Sequence, residues 1–311
     1  MFDVTFLGTG GSIPTKGRNL PAIAVQHKGW VLLLDAGEDV QRQLETANIG
    51  LNKRMRIFIT HIHADHLIGL PGLLLRFSLL GRQRPLKIFG PSGLVEYIRV
   101  NQKTIHLGTT FETTVYGVEE GVLFEDNGLS VRAFEVDHRG KAFGFEIRYQ
   151  RATGTFLPDK ARELGVPEGP QWKSLSDGQS VKLDDGTVIQ PEQVTEAKPA
   201  PVKIVYSGDT RPCENLREAA RNANLLISEA MYAEEHRDLA EERGHMTAIQ
   251  AAEIARDANV GLLVLTHYSP RYETEMGEPI LAEAREVFGN SILARDLMQI
   301  RVEQDETKVE G

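Results

Sequence analysis

Three histidines and one aspartate lie within six residues of one another, at His61, His63, Asp65 and His66. They follow the apolar run 55–59, whose length and branched side chains predict a buried β-strand. His61 and His63 are two residues apart, so in extended backbone they point to the same side. Neutral imidazoles together with a carboxylate suit zinc or a similar divalent ion. The motif therefore predicts a metal site at the end of a strand.

Three further residues repeat this arrangement, in which an apolar strand is followed by a potential ligand. The predicted strands 129–136, 202–206 and 261–266 are followed by His138, Asp209 and His267, respectively. A single histidine or aspartate after a strand would be unremarkable as a surface residue. The repetition favours one shared site to which all of these residues contribute.

Five histidines and two aspartates exceed what one tetrahedral zinc ion can bind. They fit two metal ions that lie close together, with one carboxylate bridging them. The first ion would be held by His61, His63 and His138. The second would be held by Asp65, His66 and His267, with Asp209 spanning both. Such a pair lowers the pKa of a shared water, so that hydroxide forms at neutral pH, and can clamp an oxyanion during an in-line displacement.

The composition is that of a globular protein with a substantial core, with 41% hydrophobic and 25% charged residues over 311 positions. The single cysteine, Cys213, excludes an internal disulfide, fits a reducing cytosol and leaves the metal site to nitrogen and oxygen ligands. No apolar run is long enough to span a membrane, and the N-terminus lacks a basic region followed by an apolar stretch. We therefore predict a cytoplasmic protein with neither a membrane span nor a signal peptide.

The charge of the chain is unevenly distributed. The net charge of −9 argues against attraction of nucleic acid to the whole surface. Between Lys53 and Lys87, however, there are seven basic residues and one acid, Asp65, which gives a local balance of +6. This stretch could attract a polyanion, or it could be an ordinary solvated face.

The remaining pattern predicts an α/β protein with two helix-covered sheets. Apolar runs predict further strands at 2–7, 22–26, 30–35 and 225–228, and helices at 38–47, 67–80, 213–222 and 247–258. Thr247, followed three residues later by Gln250, is typical of a helix start. Strands are predicted to dominate up to about Tyr149, and the polar tail after Val302 is predicted to fray. Residues 150–200 contain five of the fourteen prolines and little periodicity, which predicts an inserted excursion.

The order of these ligands resembles that of the metallo-β-lactamase superfamily, whose αββα sandwich gathers them at one edge of two packed sheets. More closely, the chain is similar to the tRNase Z (ribonuclease Z) family, short form. The motifs that carry the resemblance are Phe6–Gly10 with Pro14, Arg18 and Asn19, then Leu164–Pro170, Ser207–Arg211, Gly244–Ala248 and Thr266–Tyr272. The resemblance implies a single metallo-β-lactamase-type domain over 1–311, in which 150–200 is an inserted flexible arm that binds substrate.

The resemblance also implies a function, which is removal of the 3′ trailer of precursor tRNA by a zinc-dependent homodimer with two Zn²⁺ per chain. Metal hydroxide would attack the phosphodiester, with Asp65 taking or orienting its proton. His245 is similar to the family's active-site histidine that binds no metal, and Glu229 is placed to hold it, so that the imidazolium protonates the departing 3′ oxygen. Glu229 could instead cap a helix, and His245 could be a loop residue. Asp35 is expected to accept a hydrogen bond from a ligand histidine.

The residues expected to contact substrate are Arg18, Asn19, Lys160, Arg162, Lys173 and Arg271. Arg271 could equally pair with an acid. Across 151–200, six basic residues are outnumbered by eight acidic ones, a balance of −2. Since an arm that grips phosphates would prefer a positive face, its basic residues would have to act as a local patch beside Trp172.

Two other functions remain open from the residues alone. The same di-metal site would serve a phosphodiesterase acting on small esters, or a hydrolase of thioesters or lactones, because fold and metal ligands do not determine the substrate. The second alternative is a non-catalytic RNA-binding relative with structural metals. The pair of His245 and Glu229, together with the inserted segment, favours a large phosphodiester substrate.

Overall fold

The computed structural model describes residues 1–304 and 306–310. In chain order, the strands are β1 (Phe2–Gly8), β2 (Ala22–His27), β3 (Trp30–Leu34), β4 (Arg54–Phe58), β5 (Leu86–Gly90), β6 (Thr113–Gly117), β7 (Gly121–Asp126), β8 (Leu129–Glu135), β9 (Phe143–Tyr149), β10 (Val181–Lys182), β11 (Val188–Ile189), β12 (Val202–Tyr206), β13 (Leu225–Glu229), β14 (Leu262–Thr266), β15 (Ser291–Leu293), β16 (Gln299–Val302) and β17 (Thr307–Glu310). The helices are α1 (Val40–Thr46), α2 (Ala64–Leu67), α3 (Leu70–Leu79), α4 (Ser92–Thr104), α5 (Pro158–Glu163), α6 (Pro170–Ser176), α7 (Glu214–Ala220), α8 (Arg237–Arg243), α9 (Ala248–Asp257) and α10 (Glu278–Val287). Within these residues, no helix combines the length and the apolar character needed to cross a bilayer.

Most of the strands belong to two large sheets. The first has the order β17-β16-β1-β2-β3-β4-β5-β6 and is parallel from β3 to β6. The second has the order β15-β14-β13-β12-β9-β8-β7 and is parallel from β12 to β15. The carboxyl ends of parallel strands lie at the same edge of a sheet, so the loops that follow them become neighbours.

Helices cover the outer face of each sheet. Alternate residues of β3 and β4, such as Val31, Leu33 and Ile57, share one apolar cluster with α1, α3 and α4. In the same way, α7, α9 and α10 pack against β12, β13 and β14. The inner faces contact each other, since the rings of Phe58 in β4 and Phe145 in β9 lie 5.6 Å apart. This αββα sandwich confirms the predicted α/β class.

The predicted strands of the sandwich are confirmed to within one residue at each end. Burial on both faces explains why they appear in the sequence as nearly continuous apolar runs. The helix predicted at 247–258 is observed as α9. Its start carries the expected reciprocal pair, in which Thr247 Oγ1 accepts from the Gln250 N–H and Gln250 Oε1 accepts from the Thr247 N–H.

Strands β5 to β9 dominate up to Tyr149 as predicted, although the prediction included no helix there, and two other predictions of local structure were wrong. Helix α4 lies in the stretch that was assigned to strands, and only Leu94 and Ile98 anchor it in the core, so its helical pattern is weak. The helix predicted at 67–80 is divided into α2 and α3 near Gly69, where a Cβ would lie 2.0 Å from the Gly37 carbonyl oxygen. The tail after Val302 does not fray through the described residues, because 307–310 form β17 and pair with β16.

A second compact unit comprises Glu125–Ser130 and Arg148–Val202. It contains α5, α6 and the β10–β11 hairpin, packed on its own apolar cluster of Ala161, Val166, Leu175, Val181, Ile189 and Val194. Two of the prolines that were taken to interrupt regular structure instead begin helices, because Pro158 and Pro170 occupy first-turn positions where no N–H donor is needed.

Candidate metal centre

The predicted ligands lie where strands of the two sheets end. In the first sheet, β3 ends directly before Asp35, and β4 leads to His61. In the second sheet, β12 leads to Asp209, β13 ends at Glu229, and β14 leads to His267. These elements are rigid parts of the sandwich, so the side chains that follow them are held in fixed positions.

Backbone hydrogen bonds join the two edges at this point. The Phe143 N–H donates to the Thr60 carbonyl at 3.0 Å, and the His267 N–H donates to the Thr9 carbonyl at 3.0 Å. The first bond links β9 of the second sheet to the residues that follow β4, and the second links residues that follow β14 and β1. Asp35 and His267 both adopt left-handed backbone, with φ of 58°, a conformation that costs free energy for residues other than glycine. The site therefore holds strained backbone that the surrounding structure must stabilise.

The first predicted set of ligands converges. His61 Nε2 lies 3.0 Å from His63 Nδ1, and His138 Nε2 lies 3.1 Å from the same atom. The three ligand atoms are all within 4.8 Å of one another. Three nitrogens at this spacing can bind a single ion between them.

The second predicted set converges beside the first. His66 Nε2 lies 3.2 Å from His267 Nε2, which lies 3.4 Å from Asp65 Oδ2. Asp209 Oδ2 lies 3.8 Å from His61 Nε2 and 3.4 Å from His66 Nε2. The structure thus places the Asp209 carboxylate next to ligands of both sets.

Hydrogen bonds on the outer side of the rings determine which nitrogen faces inward. His66 Nδ1–H donates to Asp35 Oδ2 at 2.8 Å, and His138 Nδ1–H donates to the Gly244 carbonyl at 2.7 Å. Thr60 Oγ1 donates to Asp35, so its lone pair is free to accept from His61 Nδ1–H at 2.9 Å. Each ring is therefore held in the tautomer that directs the Nε2 lone pair into the cluster.

Two buried atoms at the cluster have no hydrogen-bond partner in the described part of the chain, and one of them, a carboxylate oxygen of Asp209, is an atom to which a metal ion could bind. Asp209 Oδ1 and His267 Nδ1 are buried without a hydrogen-bond partner among the described residues. Buried polar atoms are almost always satisfied, and a carboxylate among imidazoles is a donor set for a divalent cation. The residues present therefore fit a metal site.

The ionisation of these groups is consistent with metal binding. Burial is the main cause that lowers the pKa of His61, His63 and His138, so these rings are neutral donors. Burial raises the pKa of Asp209, but the charges of His267 and His66 outweigh it and hold that pKa well below its usual value. Burial lowers the pKa of His66, but the charges of Asp209 and Asp35 raise it well above its usual value. A divalent cation would take the place of that proton.

His245 and Glu229 form a pair at the side of the cluster. His245 Nδ1 lies 2.9 Å from Glu229 Oε1, and the Glu229 side chain is 1% exposed. The same carboxylate accepts backbone N–H groups from Thr210 at 2.7 Å and from Met231 at 3.2 Å. Burial lowers the pKa of His245, but the charge and hydrogen bond of Glu229, together with the charge of Asp209, raise it to about 9. His245 can therefore carry a proton at neutral pH.

His245 also lies close enough to Asp209 and His267 to form a third possible set of ligands. Its Nδ1, however, is 3.9 Å from Asp209 and only 2.9 Å from Glu229. A protonated Nδ1 that donates to a buried carboxylate has no lone pair for a metal ion. Nδ1 of His245 is therefore not available as a ligand atom, and the raised pKa, which keeps a proton on the ring at neutral pH, favours a proton donor.

Arg18 and Asn19 lie in internal contacts. The Arg18 side chain is 4% exposed, its Nε donates to Glu273 at 2.7 Å, and one Nη donates to the Tyr268 carbonyl at 2.9 Å. Asn19 donates to Asp296 from both its backbone N–H, at 2.7 Å, and its side chain, at 2.9 Å. These hydrogen bonds give both residues a role in holding the loop after β1.

The other residues expected to bind substrate are on the surface. Arg271 is exposed, with its guanidinium 5.6 Å from the centre of the Tyr232 ring. Lys160 and Lys173, in the second unit, are exposed. Arg162 is exposed but already paired, with Asp159 at 2.8 Å and Glu168 at 2.9 Å.

Sequence reasoning missed several residues that support the ligands. Thr60 connects Asp35 to His61, and Tyr206 donates its hydroxyl to Asp35 at 2.9 Å. The Ser12 N–H donates to Asp65 Oδ2 at 3.0 Å. The position of Thr60, directly before the first ligand, was the one available signal. The other two contacts join residues that are far apart in the chain.

Two packed sheets with histidine and aspartate ligands at their strand ends define a metal-binding hydrolase of the metallo-β-lactamase fold. Models of protein families agree with this class. Residues 168–268 match the beta-lactamase superfamily domain, and residues 2–150 match the family of the anti-Pycsar protein Apyc1.

Full-length relatives narrow the class further. The chain is 40% identical over 302 residues to Ribonuclease Z of Methanosarcina acetivorans, across 97% of this chain and 98% of that protein. It is 41% identical over 309 residues to Ribonuclease Z of Archaeoglobus fulgidus, across 99% and 100%. The crystal structure of human tRNase Z, short form, superposes with a TM-score of 0.68 at 27% identity, across 97% and 99%. The chain belongs to the ribonuclease Z family, which confirms the predicted resemblance.

Proposed function

We propose that this protein is an endoribonuclease that removes the 3′ trailer of precursor tRNA, with two zinc ions per chain. Membership of the ribonuclease Z family gives the substrate class. The single observation that carries the chemistry is the pair formed by His245 and the buried Glu229, next to two convergent sets of ligands. A metal site together with a separate proton donor is what hydrolysis of a phosphodiester needs.

The metal ions would be held as two neighbouring sets. One comprises His61, His63 and His138, and the other comprises Asp65, His66 and His267, with Asp209 available to both. When bound, the metals supply Lewis-acid activation of water and of the phosphate oxygens. Asp35 fixes the orientation of His66, and also of His61 through Thr60.

Residues of the chain accept and donate the protons of the reaction. Asp65, held by the Ser12 N–H, accepts a proton or hydrogen bond from the attacking water. His245, held by Glu229 at Nδ1, presents its other nitrogen to the departing 3′ oxygen of the tRNA body and protonates it. The expected products are a tRNA that ends in a 3′ hydroxyl and a trailer that carries the phosphate.

The test is to incubate the purified protein with a trailer-bearing precursor tRNA, with and without chelator, and to map both ends. We expect cleavage that chelator abolishes and zinc restores, and about two zinc ions per chain by elemental analysis. Hydrolysis of bis(p-nitrophenyl) phosphate and of a thioester is measured in parallel. Hydrolysis of the thioester alone would reject the proposal, and tight tRNA binding without cleavage at saturating zinc would indicate a binding protein.

We also propose that the chain forms a homodimer through the exposed side of α3. Leu75 and Leu79 are four residues apart, share one side of α3 and are 49% and 77% exposed, and Ile68, just before the helix, is 53% exposed. An exposed apolar stripe of this kind is typical of an interface, and the family resemblance supplies a second copy as the partner. Light scattering should show a dimer for the wild type and a monomer for Leu79→Glu. Val122→Glu, at a residue that is 58% exposed elsewhere, is the matched control and should remain dimeric.

Two further parts of the proposal concern the inserted arm and the location. The segment 150–200 would bind the tRNA through Lys160 and Lys173, which are exposed and form no ion pair within the described residues. A cytoplasmic location is supported by the single cysteine and by the absence, among the described residues, of a helix able to cross a membrane. Cell fractionation that recovers the protein in the membrane pellet would contradict that location.

A further inference from the structure

A cavity of about 490 Å³ opens beside the proposed proton donor. Two metal ligands, His63 and His138, line it together with His245. Two arginines, Arg139 and Arg243, contribute to the same wall, and so does one acid, Glu242. The wall is therefore positively charged at a place where the reaction would occur, although the chain as a whole carries −9. An anionic chain would be attracted to this part of the surface.

The backbone ties both arginines to the active groups. Arg139 directly follows the ligand His138, and Arg243 directly precedes Gly244, whose carbonyl accepts the His138 hydrogen bond at 2.7 Å. Gly244 has φ of 82°, and a Cβ there would lie 2.9 Å from His138 Nδ1 and 3.2 Å from Arg139 Cγ. The stem of Arg139 therefore runs along the Gly244 backbone. A shift of this segment would move the arginines, the ligand and His245 together.

Both guanidinium groups are available for an external anion. Across the described part of the chain, neither Arg139 nor Arg243 forms an ion pair or a side-chain hydrogen bond, and both are exposed. Their neighbour Arg211 differs, since it pairs with Asp137 at 3.1 Å and donates to the Glu241 carbonyl at 2.7 Å. The planar fork of arginine binds phosphate oxygens through two parallel hydrogen bonds. Two such groups at one cavity can bind two phosphates of the same strand.

We propose that Arg139 and Arg243 bind the phosphates that flank the scissile phosphodiester of an RNA strand. The inference rests on the proposed function and deepens it. A small ester reaches the metal ligands and His245 but has no flanking phosphates to offer the arginines. These two residues therefore make the site select polynucleotides over isolated phosphodiesters.

The test compares two substrates in the same variants. For Arg139→Ala and Arg243→Ala, kcat/KM for precursor tRNA should fall about tenfold each, while kcat/KM for bis(p-nitrophenyl) phosphate should stay unchanged. The salt dependence of RNA binding should weaken, because each lost phosphate contact removes about 0.7 from the slope for a single strand. Arg139→Lys and Arg243→Lys should recover part of the RNA activity. Arg221→Ala, an exposed arginine at the end of α7, is the matched control and should behave as the wild type.

A substrate series locates the contacts. One phosphate next to the cut is replaced by a neutral methylphosphonate, at each side in turn. At one of these positions, kcat/KM of the wild type should fall about tenfold. The arginine variant that already lacks the contact to that phosphate should show no further fall in kcat/KM. If the losses in kcat/KM caused by the arginine variant and by the methylphosphonate were additive at every position, the assignment would be wrong.

The remaining outcomes are distinct. Equal losses on both substrates, accompanied by loss of metal, would show that the arginines support the metal site, and the inference would be wrong. RNA cleavage by the variants at the wild-type rate would overturn it as well. A wild-type protein that hydrolyses the small ester but leaves precursor tRNA intact would overturn the proposed function, and the inference with it.

Discussion

The metal centre and the second compact unit differ in whether their charged side chains are buried or exposed. At the centre, Asp35, Asp209 and Glu229 are nearly or fully buried, and each lies among several donors or imidazoles. In the second unit, Arg162 is exposed and is already paired with Asp159 and Glu168. A buried charge with specific partners is oriented in advance and weakly screened, whereas an exposed one is screened by water and salt. Chemistry should therefore depend steeply on the first region and substrate affinity gradually on the second.

The largest effect is expected from Asp209→Ala, which removes the carboxylate placed beside both sets of ligands. Cleavage of precursor tRNA should fall by about 10³-fold or more, because several kcal/mol of electrostatic stabilisation depend on the metal. Elemental analysis should show that metal is lost as well. The control is Asp184→Ala, at an exposed aspartate of the second unit, which should keep its metal. Full metal occupancy in Asp209→Ala would contradict the bridging role.

His245→Ala should reduce turnover by about 10²–10⁴-fold, the usual contribution of a general acid. The expected difference from the first variant is that metal content stays the same, because the two proposed sets of ligands do not include His245. His106→Ala, at an exposed histidine, serves as the control. If metal were lost together with His245, this residue would be a ligand, and its assignment as an acid would be wrong.

A pH profile separates the two parts of the His245–Glu229 pair. The pKa of His245 is raised to about 9, so the protonated acid is present below that pH and is lost above it. We expect kcat to fall on the alkaline side near pH 9 in the wild type. Glu229→Gln removes the charge that raises this pKa, so the alkaline limb of the profile should move to lower pH. The thermal midpoint of the variant is measured as well, to check that it remains folded. An unmoved limb would exclude His245 as its source.

The smallest effects are expected in the second unit. The double variant Lys160→Ala with Lys173→Ala should raise KM for precursor tRNA by about two- to fivefold and leave kcat unchanged, because its contacts to phosphate are solvent-screened. Arg162→Ala should have a smaller effect still, since the Arg162 guanidinium already forms exposed ion pairs with two neighbouring carboxylates. A loss of kcat in either variant would remove the contrast between the two regions.

The metal ligands could be predicted because each of them follows a strand whose pattern is visible locally. The run 55–59 before His61 and the run 202–206 before Asp209 are examples, and both strands are observed. Helix α4 was missed because its buried side, Leu94 and Ile98, is too narrow to give a helical pattern. The strand β17 was missed because its polar residues are held by hydrogen bonds to β16 rather than by burial.

The direction of individual side chains was harder to predict than their positions. Arg18 belongs to a motif that suggested substrate contact, yet its guanidinium is internal, with Glu273 and the Tyr268 carbonyl as partners. Arg139 and Arg243 drew no attention in the sequence but line the cavity beside His245. Which way a long side chain points depends on acids and carbonyls that the fold supplies from distant parts of the chain.

The amino-acid sequence by itself determined the class of the sheets, the types of ligand and their places at strand ends, because these follow from short-range hydrophobic periodicity and residue chemistry. Only the tertiary structure decided that Thr60 and Tyr206 hold Asp35, and that Arg18 points inward to Glu273. Those pairings join separate strands and loops, so they exist only once the two sheets have packed and brought their edges together.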